Sequence, residues 1–226
     1  MKKGILFLLF TIRAVSIFAQ YESLGSWNII NLKGTLSDKW SFFAEGQVRS
    51  LKYYDDFHYH EFKGGLTFEV NKFFRVSLAT GKYDTYKEGG DFVLPKNNDE
   101  FRIWPQLFLV QPLGKFIIEQ RGRVEMRFST SGYRNRFRYR LGINYPFGKN
   151  TKGFKPFQLS VSDEIFFTDN EPYFERNRFF LSANYRISPL FSTQIGYLRQ
   201  FDYKINDEIG RAFFLVGTYF DIDFRK

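Results

Sequence analysis

From Trp40 onward, apolar and polar residues alternate almost one by one, the period of a β-strand with one apolar face. The clearest stretch is KFIIEQRGRVEMRF (115–128). Glu119, Arg121, Arg123, Glu125 and Arg127 fall on one face; Phe116, Ile118, Gly122, Val124, Met126 and Phe128 fall on the other. YRNRFRYRLGINY (133–145) repeats the pattern, with Arg134, Arg136, Arg138 and Arg140 opposite Asn135, Phe137, Tyr139 and Leu141. The same alternation predicts strands over 40–51, 60–70, 73–83, 100–110, 157–167, 176–187, 191–201 and 211–224. These make ten strands. LGSWNIINLKGT (24–35) is an eleventh candidate, expected to be an accessory segment.

Turn-like connections are predicted at 36–39, 70–72, 112–114 and 187–190, alternating with longer polar ones at 51–57, 84–98, 129–132, 168–173 and 202–209. The 146–153 connection departs from this alternation. Short turns on one rim and long loops on the other are the layout of an antiparallel up-and-down transmembrane β-barrel. Single-chain bacterial barrels carry an even strand count, so ten is the expected number, and twelve if one strand has escaped notice. No linker or charge block divides residues 20–226, which read as a single domain.

Composition separates this reading from a soluble β-sandwich. Aromatics make up 21% of the 226 residues, with 30 Phe and 14 Tyr. They lie opposite a face rich in arginine and glutamate. An arginine facing lipid at mid-bilayer costs about 2–4 kcal/mol, so in a membrane barrel the charged face lines the lumen and the aromatics face outward. Trp27, Trp40, Trp104, Tyr83, Tyr133, Tyr145, Tyr197, Tyr203 and Tyr219 fall toward strand ends, where interfacial girdles belong. The chain has no cysteine, which excludes disulfides, thiol catalysis and a cysteine-linked lipid anchor.

Residues 1–19 read as a cleaved secretory signal. Lys2 and Lys3 precede an apolar run from Gly4 to Ile12, and the small residue Ala19 precedes the cleavage point. Nine apolar residues are too few for a membrane helix, which takes about 20. Cleavage removes Lys2, Lys3 and Arg13, lowering the formal charge from +9 to +6. The expected location is the outer membrane of a Gram-negative bacterium, with the lipid bilayer as a partner.

The segments LGSWNIINLKGTLSDKWSFFAEGQVR, EQRGRVEMRF…YRNRFRYRLGINYPF, DEIFF…FERNRFFLSANYRIS and IGYLRQF resemble domain-of-unknown-function family 2490 over essentially the whole mature chain. The resemblance implies a small outer-membrane barrel of a Gram-negative bacterium. It carries no activity and no functional residue.

The first candidate for chemistry is the charged face: Glu45, Arg49, Glu100, Arg102, Glu119, Arg121, Arg123, Glu125, Arg127, Arg134, Arg136, Arg138, Arg140, Glu164, Arg176 and Arg178. Arginines facing one another on strands 115–128 and 133–145 repel, so carboxylates, anions or water are expected between them. Either these side chains fill a narrow interior with ion pairs, or they line a narrow porin-like passage or binding site for small anionic or polar solutes. The second candidate is YYDDFHYH, where Asp55, Asp56, His58 and His60 could serve a rim-located hydrolase. His58 and His60, two apart, would share a strand face and are weak metal-ligand candidates. No cofactor is implied. Nucleic-acid binding is not expected, because basic residues interleaved with acids at strand period carry no nucleic-acid motif. The reading is a non-enzymatic barrel of uncharacterised role.

Overall fold

The computed structural model describes residues 24–149, 153–203 and 209–225. The predicted signal at 1–19 lies outside them. Eleven strands form one closed barrel: β1 (Leu24–Thr35), β2 (Trp40–Lys52), β3 (Asp55–Glu69), β4 (Phe74–Lys87), β5 (Val93–Leu113), β6 (Phe116–Ser129), β7 (Gly132–Phe147), β8 (Phe157–Thr168), β9 (Phe174–Arg186), β10 (Phe191–Asp202) and β11 (Ile209–Asp223). Each strand pairs antiparallel with its sequence neighbour.

The count corrects the expectation of ten or twelve. Residues 24–35 are a wall strand, antiparallel to β2 and parallel to β11, pairing from Leu24↔Ala212 to Thr35↔Asp223. The reason is closure. Without β1, the edges of β2 and β11 would leave two rows of backbone groups unpaired. An odd number of hairpin-linked strands brings the first and last together in the same direction.

The connections differ too. The lower rim has the expected turns, at 36–39, 70–73, 114–115 and 187–190, and the longer 148–156 connection also lies there. On the upper rim, the predicted loops at 51–57 and 129–132 shrink to turns at 53–54 and 130–131. The predicted 84–98 loop is mostly hairpin, with Asp84↔Asp99, Thr85↔Asn98 and Lys87↔Val93 paired. Asp56 holds its tip, accepting from Gly89 N at 3.2 Å and Gly90 N at 3.1 Å. The hairpin's polar residues include Thr85, Asn97 and Asn98, which line the lumen, so polarity alone does not mark a loop.

The outer face is apolar around the circumference. Phe62 (64% exposed), Leu78 (61%), Ile30 (57%) and Ile195 (56%) belong to it. The interior is largely charged and polar, with two small apolar clusters: Trp27, Leu198, Phe213 and Leu215, and Ala79, Tyr83 and Trp104.

Candidate functional site

Strict alternation delivers the predicted ladder to the interior. Glu45, Arg49, Glu100, Arg102, Arg121, Arg123, Arg127, Arg134, Arg136, Arg138, Arg140, Glu164, Arg176 and Arg178 all line one lumen cavity of about 1030 Å³. Glu119 and Glu125 join the same network through their arginine partners.

Directly opposed arginines, Arg121↔Arg140, Arg123↔Arg138 and Arg127↔Arg134, sit on β6 and β7. Their counter-charges come diagonally and from further strands. Glu164 on β8 accepts from Arg121 at 2.5 Å and from Arg138 at 2.9 Å. Glu125, 0% exposed, lies 2.6 Å from Arg138, 3.1 Å from Arg123, 3.5 Å from Arg136 and 3.7 Å from Arg102. Glu100 accepts two hydrogen bonds from Arg102, both at 2.9 Å, and also pairs with Arg127. Arg140 pairs with Glu119. Such charge-assisted pairs fix strand register as well as neutralising charge.

Aromatic rings take up part of the remaining charge. Phe166, fully buried, has the guanidinium carbons of Arg138, Arg178, Arg136 and Arg176 at 4.4, 5.0, 5.7 and 5.8 Å. Arg49 contacts the rings of Trp27 at 3.4 Å and Tyr59 at 4.0 Å, while donating to Glu61 at 3.0 Å. Contacts of this kind are worth about 0.5–2 kcal/mol, more when desolvated. They correct the girdle expectation: Trp27, Tyr83, Trp104, Tyr203 and Tyr219 line the lumen, whereas Trp40 and Tyr133 are exposed. Trp27, Tyr83 and Trp104 occupy the polar-face phase of their strands, where a ring packs against arginine stems.

Several lumen residues escaped the sequence reading. Glu61 and Lys63 were legible by phase; Lys63 lies 2.5 Å from Glu61 and 2.6 Å from Glu45. Asp202 pairs with Arg176. Glu175 was not legible. It sits in a β-bulge, because Phe166 pairs with Arg176 but Phe167 pairs with Phe174. The extra residue turns Glu175 inward, where it pairs with Arg136.

A second bulge separates the histidines. Arg49 pairs with Tyr59 and Ser50 with Phe57, so His58 is the extra residue and lines the lumen. His60 points outward against Phe62 and Phe92. Period two would have placed both on one face; the bulge puts them on opposite sides of the wall. Tyr86 Oη (3.1 Å) and Asp84 (3.7 Å) both approach His60 Nε2, while Nδ1 has no partner among the described residues. A proton relay needs one partner on each ring nitrogen. Asp55 lies on the surface, 3.9 Å from Lys52. Among the described residues no group of three or more His, Asp or Glu could hold a metal.

Among the described residues, thirteen basic and seven acidic side chains line the cavity. With Glu119 and Glu125 added, the cations still lead by four. Five buried donors or ring nitrogens in the lumen wall, Arg49 Nε, Arg121 Nε, Arg127 Nη1, Trp104 Nε1 and His58 Nδ1, have no hydrogen-bond partner among the described residues, and neither does the acceptor Glu125 Oε2. The described lining therefore combines excess positive charge with unpartnered donors.

No curated protein matches the chain. The model of a family described as a protein of unknown function, DUF2490, matches residues 24–210, and the chain belongs to that family.

Proposed function

We propose that the protein is a non-enzymatic outer-membrane β-barrel of a Gram-negative bacterium whose cation-rich lumen takes small anionic or polar solutes. The observation that carries this reading is the inversion of polarity: charged side chains fill the inside and large apolar ones cover the outside. In water such an outer face would far exceed the few hundred Å² of contiguous apolar surface that soluble monomers tolerate. In a bilayer the same face is stabilising, and barrel closure satisfies the backbone. The lysine-led apolar run at 2–12 supplies the export signal this location needs.

The ion-pair network makes the lumen narrow, so the role is binding or slow passage of small solutes rather than bulk diffusion. Fractionation of expressing cells, with heat-modifiable gel migration, tests the location; recovery in the soluble periplasm would overturn it. Planar-bilayer recordings of refolded protein in a salt gradient test the lumen. The expected result is a small conductance with an anion-selective reversal potential. Cation selectivity would overturn the anionic assignment.

A further inference from the structure

The lumen arginines fall into two groups. On the β5–β8 wall, Arg102, Arg121, Arg123, Arg127, Arg136 and Arg138 each have a carboxylate within 4.0 Å. Arg178, on β9, has none among the described residues. Its only hydrogen bond there runs from Nε to Gln200 at 2.8 Å, leaving both Nη groups without a protein acceptor. Of the acids on its two neighbouring strands, Glu164 stands directly opposite Arg178 but is engaged by Arg121 and Arg138, and Asp202 is engaged by Arg176 and by Gln200.

We infer that Arg178 anchors a discrete oxyanion site in the lumen, set between Trp27 and Phe166, for the carboxylate or phosphate group of a small solute. Three observations carry this. The guanidinium is held in place: it lies 5.0 Å from the Trp27 ring and 5.0 Å from the Phe166 ring, and its Nε is tied to Gln200. Its planar Nη fork matches a carboxylate or phosphate edge, and Arg178 lines the cavity. A second guanidinium, Arg49, shares the Trp27 ring at 3.4 Å, so two cations meet there, and the carboxylate Glu61 is paired with Arg49. A bound oxyanion would supply the missing acceptor and offset that repulsion. The site is separate from the Arg134–Arg140 ladder, whose members have acidic partners within 4.0 Å.

The inference rests on reading the lumen as an anion site, and the test separates the two. Refolded protein in detergent is titrated with inorganic phosphate, and separately with succinate, by calorimetry at constant ionic strength. Heat-modifiable migration confirms that each variant is folded. Wild type should bind at least one of the two anions. Arg178→Gln should weaken binding about tenfold or more, with Arg178→Lys intermediate because an ammonium lacks the fork. Arg140→Gln, which removes the same charge elsewhere in the lumen, should change binding less than about twofold. Equal weakening by Arg178→Gln and Arg140→Gln would overturn the site while leaving a diffusely attractive lumen. Wild-type affinity in Arg178→Gln would overturn it too, as would wild-type affinity in Arg178→Lys should the glutamine variant not fold. No binding of either anion by wild type would overturn both readings.

Discussion

Arg138 donates to Glu125 at 2.6 Å, although the residue opposite Glu125 in the β6–β7 ladder is Arg136. The diagonal is what lets one carboxylate serve four arginines, Arg102, Arg123, Arg136 and Arg138. Removing one partner of a buried ionic network leaves uncompensated charge. Glu125→Gln should therefore cost about 3–5 kcal/mol in denaturant unfolding of the refolded barrel. Arg140→Gln, at a part-exposed pair with Glu119, should cost about 1 kcal/mol or less. Equal costs would mean that the network does not stabilise the fold as described.

Gly65 and Gly122 make opposite predictions. A Cβ on Gly65 would lie 2.5 Å from Ala79 Cβ and 2.6 Å from the Leu78 carbonyl, whereas a Cβ on Gly122 meets nothing within 4 Å. Gly65→Ala should cost about 1–3 kcal/mol through overpacking, and Gly122→Ala should be neutral within about 0.5 kcal/mol. Thermal or denaturant unfolding of the two variants side by side decides it.

Much of the interior was legible because a β-strand has an exact two-residue repeat. Arg134, Arg136, Arg138 and Arg140 could be assigned to one face from spacing alone, and all four line the lumen. The departures have two sources. At bulges the repeat slips: it turns Glu175 inward and parts His58 from His60, and a bulge cannot be seen in composition. Aromatic residues are the other source. Trp27 and Trp104 suit an interface by type, but guanidiniums make the interior a good place for a ring. The eleventh strand was visible as a segment; its place in the wall follows only from closure.

The bulge at His58 makes the histidines poor partners for catalysis or metal. His58→Ala and His60→Ala, singly or together, should leave lipid and peptide hydrolysis assays at the wild-type level. Zn²⁺ should not raise the melting temperature of wild type above that of the double variant. Loss of a hydrolytic activity in either single variant would restore the rim-enzyme reading.

Asp169, in the 169–173 connection, accepts from Asn135 N at 3.1 Å and from Asn135 Nδ2 at 2.8 Å. Slight desolvation opposes ionisation, but these hydrogen bonds outweigh it and hold the carboxyl below the usual aspartate range. A lowered folded pKa means the contact stabilises above the ordinary aspartate value, 3.8, and is lost as pH falls through the folded one. The protection factor of the Asn135 amide, taken relative to the intrinsic exchange rate at each pH, should fall on acidification below that range, and Asp169→Asn should abolish that fall. An unchanged acid response in the variant would contradict the assignment.

The absence of cysteine opens the most direct test of the inverted barrel. Phe137, 43% exposed on the outer wall, is followed in β7 by Arg138, which lines the lumen. Single variants Phe137→Cys and Leu141→Cys, reconstituted in lipid vesicles, are treated with a water-soluble maleimide and with a lipid-partitioning one. A lipid-facing outer wall gives labelling by the lipid-partitioning reagent and protection from the water-soluble one. Rapid labelling of both positions by the water-soluble maleimide would contradict a lipid-facing outer wall.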